Sequence, residues 1–359
     1  MSDADPLLSI RDLRTVFHTN EGLVRAVDGV SFDVDRGETV CIVGESGSGK
    51  TVTGESITRL IRSPPGEIAD GEVVFDEDDL TTLSDDALRD LRGGRIAHVF
   101  QNPQGALNPV YTVGWQIVEA IQLHEDVDQE SARSRAVDLL DRVGIPEATR
   151  RFDDYPHEFS GGMKQRIALA MSLATDPDLL IADEPTTALD VTIQNQILTL
   201  LDDLQTEFDM SILLITHDLG VVAEVADRVV VMYAGKVMER GDVFDVFERP
   251  SHPYTRALLD CLPGRGEGTG SIGGQLPSPT DPPDGCRFHP RCPHAIDACR
   301  EGDQPPATPV DGDPDHVVSC VHYEPGGDPS VVREGDGGSV PADDTAADGG
   351  HATDAGSDR

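Results

Sequence analysis

Eight residues, Gly44-Glu45-Ser46-Gly47-Ser48-Gly49-Lys50-Thr51, constrain this chain more than any other stretch. They fit the spacing G-x-x-x-x-G-K-[ST] of a phosphate-binding loop. Glycines let the backbone turn tightly enough for successive N–H groups to point at phosphate oxygens. A helix starting near Lys50 adds its positive N-terminal end. Lys50 is placed to reach the β- and γ-phosphates of a nucleotide, and the Thr51 hydroxyl to sit on Mg²⁺. Just upstream, Thr39-Val40-Cys41-Ile42-Val43 reads as a buried strand. A Gly/Ser-rich surface turn would not need that strand before it.

Two further stretches carry chemistry. Leu179-Leu180-Ile181-Ala182-Asp183-Glu184 is an apolar strand ending in two carboxylates. Beside a phosphate-binding loop, Asp183 is placed to help hold Mg²⁺ and Glu184 to orient or deprotonate an attacking water. Phe159-Ser160-Gly161-Gly162-Met163-Lys164-Gln165 precedes an amphipathic helix, with Ser160 a natural N-cap and two glycines exposing N–H groups. That is a second anion site, and one chain has use for two such sites if two chains share one nucleotide.

Strands are expected at 7–13, 15–19 and 23–34, with a turn at Asn20-Glu21-Gly22, and again at 39–43, 72–75 and 95–100. The first helix is expected to run through Leu60. From Asn102 to about Thr175 the pattern is helical: Ala136, Val137, Leu140 and Val143 fall at three-to-four spacing, with Gly144 as C-cap. Met163, Ile167, Ala170, Met171 and Ala174 make another apolar stripe, in which the methionines read as core. Strands then alternate with helices again: 179–182, a helix buried through Ile197, Leu200, Leu201, Leu204 and Phe208, then 211–216 and 228–232. This alternation predicts an α/β core with a mostly parallel sheet, interrupted by a helical insertion. Past Gly241, helices at 243–248 and 254–262 lead into Gly/Pro-rich chain. Residues 325–359, with eight acidic and two basic side chains, read as a disordered tail.

Charge excludes some functions. Lys+Arg is 28 against 66 for Asp+Glu, a net charge of −38. Such a balance argues against nucleic-acid binding, which needs a basic face. The lysines are Lys50, Lys164 and Lys236; all other basic residues are arginine. A dense carboxylate surface poor in lysine resembles proteins of salt-loving organisms, where high salt screens self-repulsion. Marginal stability in low salt is expected, with a melting temperature that rises on adding KCl; a flat response in a thermal melt would count against this reading. No run of 18 apolar residues occurs, so no membrane-spanning helix is expected. The acidic start, Met1-Ser2-Asp3-Ala4-Asp5, lacks the pattern of an export signal, which points to the cytoplasm.

Taken together, the motifs resemble those of ABC-type ATPases. Ser160-Gly161-Gly162-Met163-Lys164-Gln165 looks like their signature motif, and Gln101 in Phe100-Gln101-Asn102-Pro103 like their Q-loop. Ala188-Leu189-Asp190 resembles the D-loop and Thr216-His217-Asp218 the switch histidine; Phe17 falls where an adenine-stacking aromatic is expected. Singly, Gln101 and His217 also read as polar loop residues and Phe17 as core; in register across roughly residues 7–241 the set is specific. The stretches 101–109, 252–259 and 285–293, which include Asn108-Pro109, His252-Pro253-Tyr254 and Cys286-Arg287-Phe288-His289-Pro290-Arg291-Cys292, resemble the oligopeptide/dipeptide importer subfamily, with which nickel importers share part of the pattern.

The resemblance implies a fold and a mechanism. The fold is an α/β P-loop NTPase core (1–101 and 176–241) with an N-terminal antiparallel β subdomain, a helical signature subdomain (102–175) and a small cysteine-containing C-terminal extension (242–324). Two ATPase domains pair head to tail, with ATP between the P-loop of one and the signature of the other. Residues Gly44 to Thr51 hold the phosphates; Thr51, Gln101 and Asp183 organise Mg²⁺; Glu184 polarises the water and His217 contacts the γ-phosphate. Ser160, Gly161, Gly162, Met163, Lys164 and Gln165 complete the partner's site, and Asp190 lies at the seam. The implied partners are two membrane-spanning permease subunits, a second ATPase, identical or homologous, and, indirectly, an extracellular substrate-binding protein. The implied place is the cytoplasmic face of the membrane. The cargo, peptide or nickel, belongs to those partners. A soluble ABC ATPase of repair or translation usually carries a long coiled-coil insertion or two cassettes in one chain. A small P-loop kinase leaves 160–165 unexplained.

Four cysteines, Cys286, Cys292, Cys299 and Cys320, cluster near the C-terminus with gaps of five, six and twenty residues. A cytoplasmic protein rarely keeps disulfides, so four thiols suit zinc or an iron–sulfur cluster. Their spacing lacks the C-x₂-C knuckle common at structural zinc sites. Some peptide-importer ATPases with a similar tail carry a 4Fe–4S cluster, so the resemblance implies that cluster, with zinc or free thiols as the alternatives. His289, His294, His316 and His322 are substitute ligands, or exposed loop histidines. Cys41 and Cys261 read as inert.

Overall fold

Strand β3 (Thr39–Val43) is buried at every residue, the pattern of a strand covered on both faces. In the computed structural model, which describes residues 5–101, 103–187, 190–262 and 272–333, it lies inside an eight-stranded sheet. The other strands of that sheet are β6 (Ile96–Val99), β7 (Leu179–Asp183), β8 (Ser211–Thr216), β9 (Arg228–Tyr233), β10 (Lys236–Asp242), β11 (Thr308–Val310) and β12 (Asp313–Val318). Their order is β11-β12-β10-β9-β3-β8-β7-β6. The five strands from β9 to β6 run parallel, and β10, β12 and β11 add antiparallel pairs at one end.

A smaller antiparallel sheet, in the order β2-β1-β4-β5, is built from β1 (Leu8–Thr19), β2 (Gly22–Val34), β4 (Gly66–Phe75) and β5 (Asp78–Asp79). The period-two alternation of strands divides the apolar side chains between two cores. Val40, Ile42, Ile181, Leu213, Ile215 and Val230 pack against Leu8, Ile10, Leu13 and Phe32 of the small sheet. Cys41, Val43, Leu180, Ala182, Leu214 and Val231 face the helices. A one-residue slip of β3 would exchange the two sets.

The insertion contains the helices Val113–His124, Gln129–Arg142 and Gly161–Ser172. Thr112, Asp128 and Ser160 cap them, each accepting a backbone N–H three residues on at 3.4, 2.8 and 3.4 Å. The expected stripe is core: Ala136, Leu140 and Val143 are buried, and Gly144 follows with φ 76° as the left-handed stop.

The structure differs from expectation in several places. Residues Leu8–Thr19 form one strand, not two; the break read near Leu13 is a bulge, where Asp12 takes φ 47° and its N–H donates to Ser31 Oγ at 2.8 Å. The first helix ends at Ile57, not Leu60. The extension adds β12 and β11 to the core sheet through β10. Glu239, at 0% exposure, fastens it: its carboxylate accepts the backbone N–H groups of Ser251 and His252 at 2.8 Å each, and His316 Nε2 lies 2.8 Å away. The segment read as tail is partly packed: Val332 is buried and Arg333 pairs with Asp311 at 2.8 Å. Residues 334–359 lie outside the described residues.

Candidate nucleotide site

The phosphate-binding loop follows β3 and ends in the helix Lys50–Ile57. Two of its glycines are required by space and conformation. A β-carbon on Gly44 (φ 153°) would meet Met232 O at 2.1 Å, and one on Gly49 (φ 102°) would meet Ala26 O at 2.3 Å. The Lys50 ammonium is buried and donates to Gly44 O at 2.7 Å and Glu45 O at 2.9 Å. Burial lowers its pKa, while Glu184, Asp183 and Glu45 favour its charge.

Strand β7 delivers the two carboxylates to this loop. Asp183 is buried and receives a hydrogen bond from the Thr51 side chain, but its Oδ1 has no protein partner. Burial raises its pKa and Glu184 adds to the rise, against Thr51 and Lys50. A buried carboxylate oxygen without a donor, next to a threonine hydroxyl and a phosphate loop, is a donor set that suits Mg²⁺. Among the described residues no group of three or more His, Cys, Asp or Glu is arranged for a metal.

Glu184 sits at φ 46°, in the left-handed region, with its N–H bonded to Ile215 O at 2.8 Å. This backbone turns its carboxylate toward three donors: Gln101 Nε2 at 2.8 Å, Thr187 Oγ1 at 2.9 Å and His217 Nδ1 at 2.9 Å. Burial alone would raise its pKa; the hydrogen bonds from His217, Gln101 and Thr187 outweigh that and hold the carboxyl below the usual range. Thus β6, β7 and β8 bring Gln101, Glu184 and His217 together at their carboxyl ends, where ligands of parallel sheets bind. In this arrangement Gln101 lies on Glu184.

A cavity of about 520 Å³ opens at the loop, lined by Phe17, Ser46, Gly47, Gly49, Lys50, Thr51, Gln101 and Glu184. Phe17 is half-buried between Val24 of β2 and Gly66 of β4, so its ring edges the cavity rather than either core. None of the residues 160–165 lines it. Ser160 and Gly161 are exposed, and Gly162, Met163 and Lys164 are half-exposed at the start of Gly161–Ser172. Gln165 is buried, at 2% exposure. Asp190 is exposed and caps the helix Val191–Phe208 by accepting the Ile193 N–H at 3.0 Å. Asn102, Ala188 and Leu189 lie outside the described residues.

All four clustered thiols are free. Cys286, Cys299 and Cys320 are buried, and Cys320 lies within electrostatic reach of the other three. Burial pushes Cys286 up to about 11 and Cys292 and Cys320 up to about 12, although backbone N–H groups of Phe288 and His289, of His294 and of His322 point at the respective sulfurs. Three of the four substitute ligands have other partners: His289 Nδ1 lies 3.0 Å from Cys286 O, His322 Nε2 lies 2.9 Å from His294 O, and His316 faces Glu239.

Sequence reasoning missed the grip of the extension on the phosphate loop. Arg291 Nη1 donates to both carboxylate oxygens of Glu45, at 2.9 and 3.1 Å, and Tyr254 Oη accepts the Glu45 N–H at 2.9 Å. Both residues stand in stretches that the family pattern singles out; an arginine between Pro290 and Cys292 was the available signal.

Comparison with known proteins agrees with this geometry. Residues 27–187 match the family described as ABC transporter, and residues 238–299 the one described as oligopeptide/dipeptide transporter, C-terminal region. The oligopeptide transport ATP-binding protein AppD of Bacillus subtilis (strain 168) is 47% identical over 321 residues, 89% of this chain and 97% of that protein. OppD of the same organism, with the same description, is 52% identical over 295 residues, 81% of this chain and 82% of its own length. The probable peptide ABC transporter ATP-binding protein y4tR of Sinorhizobium fredii is 50% identical over 321 residues, 88% of this chain and 95% of that protein. Among solved structures, the dimeric post-hydrolysis ATP-binding cassette MJ0796, bound to ADP and Pi, matches with a TM-score of 0.60 at 28% identity, over 66% of this chain and 98% of that one.

Proposed function

This chain belongs to the family of oligopeptide/dipeptide ABC transporter ATP-binding proteins, and from that premise we propose how its residues drive a peptide importer. It is the subunit that binds and hydrolyses ATP. The observation that carries the assignment of roles is the Glu184 carboxylate, held ionised by Gln101, Thr187 and His217 beside the Lys50 loop. The N–H groups of residues 44–51 and Lys50 cradle the β- and γ-phosphates. Thr51, Asp183 and Gln101 would hold Mg²⁺. That ion supplies charge neutralisation at the phosphate oxygens. Glu184 accepts a hydrogen bond from the attacking water, aligns it and takes up its proton as the water oxygen bonds to the γ-phosphorus and the bond from that phosphorus to the β,γ-bridging oxygen breaks, releasing ADP. His217, 59% exposed at its side chain, turns from Glu184 toward the γ-phosphate.

The second half of the site comes from a partner ATPase. Ser160, Gly161 and Gly162 present a helix N-terminus to that partner's γ-phosphate, and Asp190 faces the seam. Loss of the γ-phosphate removes the shared contacts, and the pair opens. The permease subunits receive this motion. Among the described residues no helix is long and apolar enough to cross a membrane, so the subunit works through those partners at the cytoplasmic face. Beside Gln101 an apolar cavity of about 570 Å³, lined by Leu60, Phe100, Ala120, His124 and Met171, runs between core and helical subdomain. Exposed Tyr111 and Trp115, stacked at 4.1 Å, stand on that subdomain. An apolar cleft with exposed aromatics suits a docked segment of a membrane subunit. Trp115→Glu is expected to cut recovery of multi-span subunits with the tagged chain from solubilised membranes by about 10-fold. Its ATP binding should be unchanged. Failure of the unaltered chain to bring down any membrane subunit would refute the transporter reading.

A 4Fe–4S cluster or zinc on Cys286, Cys292, Cys299 and Cys320 is supported by the family resemblance alone. The side chains as placed do not form a ligand set, so no step is routed through a metal there. Iron with acid-labile sulfide, stoichiometric zinc or neither, measured on anaerobically purified protein, decides among the three. The charge of −38 fits a salt-rich cell interior.

A further inference from the structure

The nucleotide cavity has a wall that the ATPase core does not supply. Leu276, Pro277, Ser278 and Pro279, from the C-terminal extension, line it together with Phe17, Lys50 and Thr51. The segment is pinned at both ends. Pro279 O accepts the Arg25 N–H from β2 at 3.0 Å. Leu276 Cδ2 lies 3.4 Å from where a β-carbon on Gly47 would stand. Behind it, Arg291 joins the segment to the phosphate loop: Nε donates to Gly273 O at 2.7 Å and Nη2 to Ile272 O at 3.0 Å, while Nη1 holds Glu45. Arg287, which also lines the cavity, donates to Asp28 and, at 3.3 Å, to Ala234 O. Two prolines in four residues fix this backbone before any ligand arrives.

We propose that Leu276–Pro279 forms the base-and-ribose wall of the nucleotide site with Phe17, so that the C-terminal extension sets nucleotide affinity. The inference rests on the reading of this cavity as the ATP site. Phosphates are held by the loop and Lys50; beside them Phe17, Leu276 and the prolines offer apolar surface, with polar Ser278 and Arg287 next to it, and a nucleoside is the part of the ligand such a mixed wall suits.

The test uses the full chain and two probes, MgADP and magnesium pyrophosphate, each titrated calorimetrically. Pyrophosphate carries the phosphates without base or ribose. The double variant Leu276→Ala/Pro277→Ala is expected to weaken MgADP binding by about 10-fold and leave pyrophosphate binding unchanged. Unchanged binding of both probes overturns the proposal. An equal loss of both also overturns it, because the segment would then be acting through the phosphate loop. A chain that, unaltered, binds neither probe removes the underlying assignment of the cavity as well. Ser278→Trp, which fills the cavity without removing an anchor, should reproduce the selective loss; equal affinity for MgADP in that variant would likewise overturn the wall.

Discussion

Glu184→Gln lowers ATP hydrolysis by about 10²–10⁴-fold, the contribution expected of a positioned general base, while MgATP affinity stays within about threefold. The reason lies in the three donors around the carboxylate. Gln101, Thr187 and His217 all point hydrogen-bond donors at it. An amide keeps the size but offers one accepting oxygen, and its NH₂ group faces a donor where the carboxylate supplied an acceptor. Water alignment and proton uptake are lost together; the phosphate contacts of residues 44–51 are untouched. Hydrolysis separates the paired motors, so the variant should also accumulate as an ATP-held dimer. Phosphate release, equilibrium binding and size-exclusion chromatography read the three effects, and normal turnover by the variant would refute the role. The lowered pKa sets the pH behaviour. A carboxyl held below its unfolded value adds stability that is present above the unfolded pKa and lost as pH falls through the folded one. Glu184 therefore remains ionised across the neutral range, and a fall in rate near pH 6 must come from another group.

The parts of this site that were legible in the sequence are those whose geometry is local. The phosphate loop needs glycines at Gly44 and Gly49 because neighbouring carbonyls leave no room for a β-carbon, and that requirement is written into the spacing. Asp183 and Glu184 were legible because an apolar strand has to end where its polar residues begin. What escaped was decided by pairing distant in sequence. β10 and β12 contain Glu239-Arg240-Gly241-Asp242 and Asp313-Pro314-Asp315, where no strand was expected; they are strands because each finds a partner in the core sheet. Nothing in the sequence marks Glu239 as buried, since what makes burial tolerable is the set of donors supplied by Ser251, His252 and His316. The burial of Gln165 was not legible either, since its position in the helix, not its place in the motif, turns it inward. The grip of Arg291 on Glu45 spans 246 residues, a separation that no pattern within a window can report.

Asp183→Asn is expected to change stability and activity in opposite directions. Its Oδ1 is buried and has no hydrogen-bond partner, so the chain without Mg²⁺ carries an unsatisfied acceptor next to the negative charge of Glu184. Burial and that neighbour raise its pKa above the unfolded value. A carboxyl of this kind contributes stability that is fully present below the unfolded pKa and lost as pH rises through the folded one, so at neutral pH its ionisation works against folding. The neutral amide removes the charge repulsion and still accepts from Thr51, which should raise the Tm of the nucleotide-free protein by about 2–4 °C. Hydrolysis should fall by about 10²-fold or more, because an amide oxygen is a poor substitute for a carboxylate on a hard cation. Mg²⁺ should also lose its effect: in the unaltered chain, Mg²⁺ with ADP raises Tm further than ADP alone, and in the variant the two curves should coincide. A variant that melts lower than the unaltered chain without nucleotide would show that Asp183 is held by contacts the fold needs. A variant that keeps the extra stabilisation by Mg²⁺ would show that the ion sits elsewhere. The unpaired oxygen is thus stability given up in the resting subunit so that the cation, when it arrives with nucleotide, meets an acceptor with nothing to displace.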